Sequence, residues 1–540
     1  MRLGRSFPRP TLLRIEQATA GNPFFALEIA RSLPEAVDPG SPFLPVPEDL
    51  AQLVQTRVAG LPAPTRKALL AAAAVPSPTV DLVAGAVERT RSQALVALER
   101  AANAGIVRLD RFAVRFSHPL FVAAVYACAS PADRRRLHAR LAQLTGELEE
   151  RARHLALAAE TPDEAIAAVL AEAAEHARRR GAPDTAASLA DQARLLTPPD
   201  QTEHALRRTI QAAEYQFHGG RLRQARQVLE AVLEQAPVGS LRTQTLRLLG
   251  EILFHQSSFR EATGLFEEAL ELAGNDCEVR AMIEMHLAFA ANAAGDVAGA
   301  GVHARRALEL AEPLGAEGGL AEALAVSVMV DYMLGRGLDE AKIERALELE
   351  DPDRQVTAEI RPSLIAGFLM LYEGRLARSV GILGRLRERI LERGQESDLP
   401  FLLSTLAWAQ CWQGSLQAAA ARCEESLECA ERVGGAPLRC WSLGFSAVAA
   451  AYAGERDRAT ARAEECRELA GRVGLHIGIG VGERVKQRLH GDGGRPAHPR
   501  RTVGIREVLP ACHQGSSRRH HHRRLERDRI SAYRDVRQHQ

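Results

Sequence analysis

Seven glycines and one serine punctuate the middle of this 540-residue chain at nearly constant spacing: Gly181, Gly220, Ser258, Gly295, Gly335, Gly374, Gly414 and Gly454. The intervals are 39, 38, 37, 40, 39, 40 and 40 residues. A beat near forty held through eight units points to a stack of like structural units, each burying its apolar face against its neighbours. Each marker follows an apolar helical stretch, such as Leu-Gly-Glu-Ile-Leu-Phe-His before Ser258, and precedes a second helix. A small residue recurs four to six positions later, at Ala186, Ala225, Ala262, Ala300, Ala341, Ser379, Ala419 and Ala459. Another falls eleven or twelve later, at Ala231, Ala269, Ala307 and Ala346. Glycine lets the backbone reverse through positive φ, and small side chains let two antiparallel helices approach closely. The expected fold is all-α, a stack of helical hairpins.

Composition fits such a stack. Hydrophobic residues make up 46% and aromatics only 4% of the chain, enough for a continuous core built on alanine and leucine. The net charge of +1 averages two unlike regions: residues 481–540 carry +9 and residues 1–480 carry −8. The body therefore shows no basic footprint for nucleic acid. Eight cysteines include no CxxC pair and mostly fall inside helical patterns, where a reduced thiol acts as a small apolar residue. No signal-peptide core opens the chain, and no apolar run approaches the roughly 20 residues that span a bilayer. A cytoplasmic protein without membrane contact is expected.

Four regions follow from patterning. Residues 1–46 hold a helix interrupted at Gly21-Asn22-Pro23, then a loop rich in proline and glycine. Residues 47–130 pattern as three or four helices followed by two short strands around Asp110-Arg111, the order of a winged helix. Residues 131–474 carry the helical repeats, with the segment around His154 as a capping unit. Residues 475–540 lose the beat, gain arginine and histidine, and are expected to be a disordered tail.

The string Gly21-Asn-Pro-Phe-Phe-Ala-Leu-Glu28 resembles the end of the ATPase domain in large LuxR-type regulators of the STAND class. The string Val114-Arg-Phe-Ser-His-Pro-Leu-Phe-Val-Ala-Ala-Val-Tyr126 is similar to the close of the winged helix that follows it there. The array is similar to tetratricopeptide repeats, although longer than 34 residues per unit and without their tryptophan signature. The resemblance covers about residues 11–474. It implies that a Gly-x-Pro motif, matched by Gly21 and Pro23, touches the adenine of ATP in the intact family. It also implies that the array receives a small-molecule inducer or a partner protein. No Gly-Lys dipeptide exists in the chain, so the phosphate cradle of the family is not encoded here, and no cofactor is expected in this chain itself. Residues 475–540 show no pair of amphipathic helices, so DNA would be reached only through a domain not present here.

No nucleophile, paired carboxylate or metal-ligand spacing supports an enzyme. The candidate ligand groove rests on aromatics just before the markers: Tyr332, Tyr372, and above all Trp408 and Trp412, four apart on one helix face. Two functional readings follow. One is the regulatory sensor and protein-interaction segment of a LuxR-type ATP-dependent transcriptional regulator. The other is a free-standing tetratricopeptide-like scaffold with no nucleotide or DNA role.

Overall fold

A computed structural model describes residues 58–473, apart from 112, 236–238, 257, 294–295, 316, 355 and 435, together with Leu12, Ile15, Glu16 and Ala30. Gly21, Pro23 and the expected tail at 475–540 lie outside the described residues. The chain divides into two compact units after Gln216.

From residue 63 onward the first unit holds α1 (Ala63–Ala73), α2 (Val80–Ala86) and α3 (Arg91–Asn103). Local chemistry sets these starts. Thr79 accepts from the Leu82 N–H, and Thr90 forms a reciprocal capping box with Gln93. An antiparallel hairpin follows, β1 (Val107–Asp110) with β2 (Ala113–Phe116), in the register Val107↔Phe116 and Leu109↔Val114. Arg111, at the turn, takes φ of 50°. Helices α4 (Pro119–Ala127) and α5 (Pro131–Leu144) complete the cluster, with Ser130 capping α5. Leu69, Leu98, Ile106, Val107 and Val114 form its centre, and Leu137 and Leu141 of α5 join them, so this core continues past residue 130.

Next come α6 (Leu148–Ala158), α7 (Glu164–Arg179) and α8 (Pro183–Leu195). Asp163 caps α7 by accepting from the N–H groups of Ala165 and Ile166. Ala173, Ala174, Ala177, Ala186 and Ala190 let α7 and α8 pack almost backbone to backbone. Between α4, α5 and α6 runs a buried polar chain. Tyr126 Oη lies 2.7 Å from His138 Nε2, and His138 Nδ1 lies 3.0 Å from His154 Nδ1. Burial, and then each ring's charged neighbours, push both imidazoles down to about 4.

Helix α9 (Thr202–His218) carries the division between the units. The second unit continues with α10 (Leu222–Gln235) and then six hairpins: α11 (Ser240–His255) with α12 (Phe259–Leu272), α13 (Cys277–Ala293) with α14 (Val297–Ala311), and α15 (Glu317–Met333) with α16 (Glu340–Leu349). They are followed by α17 (Pro362–Tyr372) with α18 (Leu376–Glu392), α19 (Leu399–Gln413) with α20 (Leu416–Val433), and α21 (Ala436–Ala453) with α22 (Arg456–Val473). Partners within each hairpin pack together, and first helices also pack on first helices, α13 on α15, α15 on α17 and α19 on α21. The chain is an all-α, tetratricopeptide-like solenoid apart from its one described hairpin of strands.

The marker glycines do what the spacing implies. Gly181, Gly220, Gly335, Gly374, Gly414 and Gly454 take φ of 81, 81, 83, 78, 89 and 80°. The residue after most of them donates back to the carbonyl five earlier: Ala182 to Ala177, Arg375 to Met370 and Ser415 to Gln410, each at 2.9 Å. That bond satisfies an otherwise orphaned helix-end carbonyl. Ser258 does not occupy the marker place that the spacing assigns to it. It donates to Leu253 at 2.9 Å, as Ala182 does to Ala177, so it stands one residue past the marker place.

The fourth residue of each second helix is fully buried: Ala186, Ala225, Ala262, Ala300, Ile343, Ser379, Ala419 and Ala459 are all 0% exposed. Two expected small-residue positions are corrected. Ala341 is exposed, because the turn after Gly335 is longer, passing through a second left-handed glycine, Gly337, before Asp339 caps α16. Ile343 takes the inward place. Ala231 is exposed as well, and its neighbour Val232 points inward. The cysteines Cys411, Cys423, Cys429, Cys440 and Cys466 are buried as thiols, and Cys440 and Cys466 pack with their Sγ atoms 3.6 Å apart.

Candidate ligand groove

The first helices of the last three hairpins place aromatics at helical spacing, so they share a face. Phe368 and Tyr372 lie on α17, Phe401, Trp408 and Trp412 on α19, and Trp441, Phe445 and Tyr452 on α21. Their rings form a connected row. Ring centroids are 4.6 Å apart for Phe368–Tyr372, 5.9 Å for Tyr372–Trp408, 5.4 Å for Trp408–Trp412 and 5.2 Å for Trp408–Phe445. Trp441 stacks on Phe445 at 5.6 Å with 10° between planes, and Phe401 meets Trp441 edge-on at 6.1 Å. Such pairs add about 1 kcal/mol each beyond burial.

All four aromatics singled out from the sequence belong to this region, in different roles. Tyr372 and Trp408 are buried, 3% and 6% exposed, and anchor the row from within. Burial raises the Tyr372 hydroxyl well above its ordinary range. Trp412 is half-buried, and Tyr332 on α15 is half-buried beside the same core. Phe401, Trp441 and Phe445, also half-buried, join the row without standing just before a marker, so the marker spacing does not single them out. Their signal was the four-residue step from Trp441 to Phe445 and the seven-residue step from Phe401 to Trp408. All three tryptophans of the chain lie in the row. Phe401, Trp412, Trp441 and Phe445 are among its half-buried members.

A second locus in the same unit is polar. His255 ends α11, and its Nε2 lies 3.2 Å from Glu359 Oε1 and 4.0 Å from Asp398 Oδ1. Glu359 sits in the 3-10 turn Ala358–Ile360 ahead of α17, and Asp398 ends the 3-10 turn Glu396–Asp398 ahead of α19. Asp398 is the N-cap residue of α19, yet its side chain makes no cap bond. His218 is buried nearby, and burial drives its imidazole down to about 3. Arg361, 3% exposed, spends Nη2 on the carbonyls of Arg354 and Val356 and on Gln395 Oε1. Burial first, and then the charge of Glu359, push the Asp398 carboxyl up to about 6 against the pull of His255 and Arg361. Glu251 behaves differently. Burial raises it, but the Arg247, His286 and His218 charges outweigh burial and hold it below the usual range. Arg247 hydrogen-bonds it, and His286 Nε2 lies at 3.6 Å.

Among the described residues no group of His, Cys, Asp and Glu is arranged to hold a metal ion, and no helix is long and apolar enough to cross a membrane. No family model matches the chain, and no curated protein matches it. Among solved structures it is similar to a Rap protein complexed with competence and sporulation factor, at 14% identity and TM-score 0.40 over 60% of this chain and 98% of that one. It is also similar to a STAND protein with a tetratricopeptide repeat sensor from Pyrococcus horikoshii, at 12% identity and TM-score 0.32 over 88% of this chain and 66% of that one. A third is a tetratricopeptide repeat protein from Parabacteroides merdae, at 17% identity and TM-score 0.32 over 52% and 99%.

Proposed function

We propose that this chain is the regulatory sensor and protein-interaction segment of a LuxR-type ATP-dependent transcriptional regulator, acting in the cytoplasm and carrying no catalytic activity of its own. The observation that carries the sensing role is the aromatic row. Phe401, Trp412, Trp441 and Phe445 remain half-buried along consecutive first helices, where an inducer or a partner side chain can cover them. Apolar surface left on a rigid, repeating frame is a ready binding face, because its ordering cost is met on folding. The sequence strings at Gly21–Glu28 and Val114–Tyr126 support the family assignment, and the helices and hairpin of residues 63–127 would serve as the winged helix that joins an ATPase module to the array.

In this reading ATP belongs to the intact regulator and DNA to a separate helix-turn-helix. Sequencing the DNA on both sides of the reading frame tests the assignment. Codons for a P-loop upstream or a helix-turn-helix downstream, in any frame, are expected. Flanking DNA without either supports the free-standing scaffold instead.

A further inference from the structure

The hairpin of α21 and α22 brings two thiols into contact. Cys440 lies near the start of α21 and Cys466 in the second half of α22, 26 residues further on. Their Sγ atoms are 3.6 Å apart. Each sulfur also approaches the other's main chain: Cys440 Sγ lies 3.5 Å from the Cys466 carbonyl oxygen, and Cys466 Sγ lies 3.3 Å from that of Cys440. The two side chains therefore face each other across closely packed backbones. Both are buried, 1% and 0% exposed, in a cluster with Leu427, Leu443 and Ala470. A cysteine that only fills apolar space needs no sulfur partner. This pair stands where modest side-chain rotation closes the gap to the roughly 2 Å of a disulfide. The hydrogen bond from Cys466 outweighs burial and holds the Cys440 thiol below its ordinary range, while that bond and burial push the Cys466 thiol up.

We propose that Cys440 and Cys466 form a redox-modification site, a dithiol that a hydroperoxide oxidises to a disulfide across the α21–α22 hairpin. The Cys440 thiolate attacks one peroxide oxygen, the O–O bond breaks, and the departing hydroxide or alkoxide takes up a proton. The Cys466 sulfur then attacks the sulfenic acid on Cys440, the S–O bond breaks, and the hydroxyl leaves as water with the Cys466 proton. Two thiols and one hydroperoxide thus give one disulfide, one water and one further water or alcohol. The sulfurs give up two electrons and the peroxide takes both. Because both thiols are closed off, local opening of the hairpin admits the oxidant. Disulfides in a reducing compartment are transient, so an external dithiol returns the pair to its resting form. Trp441 follows Cys440 on α21 and stacks on Phe445, so a shift of this turn reaches a tryptophan. The pair stands apart from the sensing role of the aromatic row, and its oxidation is read without any ligand.

The test uses the full chain, reduced and then treated with hydrogen peroxide under native conditions. N-ethylmaleimide in urea blocks the remaining thiols, and trypsin releases the peptides Cys440–Arg456 and Ala463–Arg467. Mass spectrometry should find these two peptides joined, and separate again after dithiothreitol. Joined peptides containing the exposed Cys128 should be minor, because no partner thiol is held against it in the folded chain. Cys466→Ala keeps a small apolar side chain in the cluster. It should lose the joined peptides and leave a sulfenic acid on Cys440 that dimedone traps. Circular dichroism checks that this variant is folded, and the linkage in the parent chain carries the test independently of it. Peptides that stay separate in peroxide, or that join only when peroxide is added to the urea-unfolded chain, overturn the proposal. So does a folded Cys466→Ala chain in which dimedone finds no adduct on Cys440.

Discussion

Gly250 on α11 lies against the Phe266 ring on α12 so closely that a Cβ there would stand 2.5 Å from Cε1 and 2.8 Å from Cδ1. Phe266 is fully buried between its two helices, a burial that stabilises by roughly 3 kcal/mol. Hydrogen at Gly250 is the condition for that packing. Gly250→Ala should destabilise the array by about 1–3 kcal/mol, since the ring must leave its rotamer or the helices must part. Chemical denaturation checks it. Pairing the change with Phe266→Leu should restore part of the loss. A silent Gly250→Ala would show that the two helices pack more loosely than described.

The second prediction concerns Asp398 and pH. Its folded carboxyl is raised from 3.8 to about 6, so the stability it confers is fully present below pH 4 and is lost as pH rises through 6. Asp398→Asn removes the ionisation. The variant should match the parent near pH 4 and exceed it by up to about 3 kcal/mol at pH 8, a shift of roughly two units at 1.36 kcal/mol each. Urea melts at pH 4, 6 and 8 measure the difference. Equal stability at pH 8 would mean that Asp398 is already paired when ionised.

His138 and His154 run the other way. Both folded imidazoles are lowered from 6.5 to about 4, so their contribution is present above 6.5 and is lost as pH falls through 4. Site-resolved exchange of the imidazole C2 hydrogen should report midpoints near 4 for these two rings, with slow exchange. Midpoints near 6.5 would place water between them.

No ATP hydrolysis is expected of the chain. Adenine contacts alone cannot replace charge-assisted bonds to the phosphates, and the three lysines, Lys67, Lys342 and Lys486, follow arginine, alanine and valine rather than glycine. Calorimetry with ATP and magnesium should show no micromolar binding; such binding would contradict this expectation.

The hairpin stack was legible because its cause is local. A left-handed turn needs glycine, and a close helix pair needs a small residue one turn later, so Gly414 and Ala419 announce the same geometry as Gly454 and Ala459. Legibility failed where a turn changed length, as after Gly335, or where no glycine marked it, as at Ser258. Within the groove, Trp408 and Trp412 were visible from their spacing on one helix. Trp441 and Phe445 needed the adjacent hairpin to become part of the row. The polar cluster was invisible for a different reason. His255, Glu359 and Asp398 are separated by 104 and 39 residues and share no local pattern. Only the stacking of distant connections brings them together.

In the proposed function the aromatic row senses a ligand or partner for a transcriptional regulator. Its most direct measurement is the transcriptome of the native host carrying Trp441→Ala at the chromosomal locus. Circular dichroism of the purified variant and its cellular abundance should match the parent, because Trp441 is half-buried on a helix held by its neighbours. A restricted set of genes should then change expression. An unchanged transcriptome, with the variant folded and present at normal level, would contradict it.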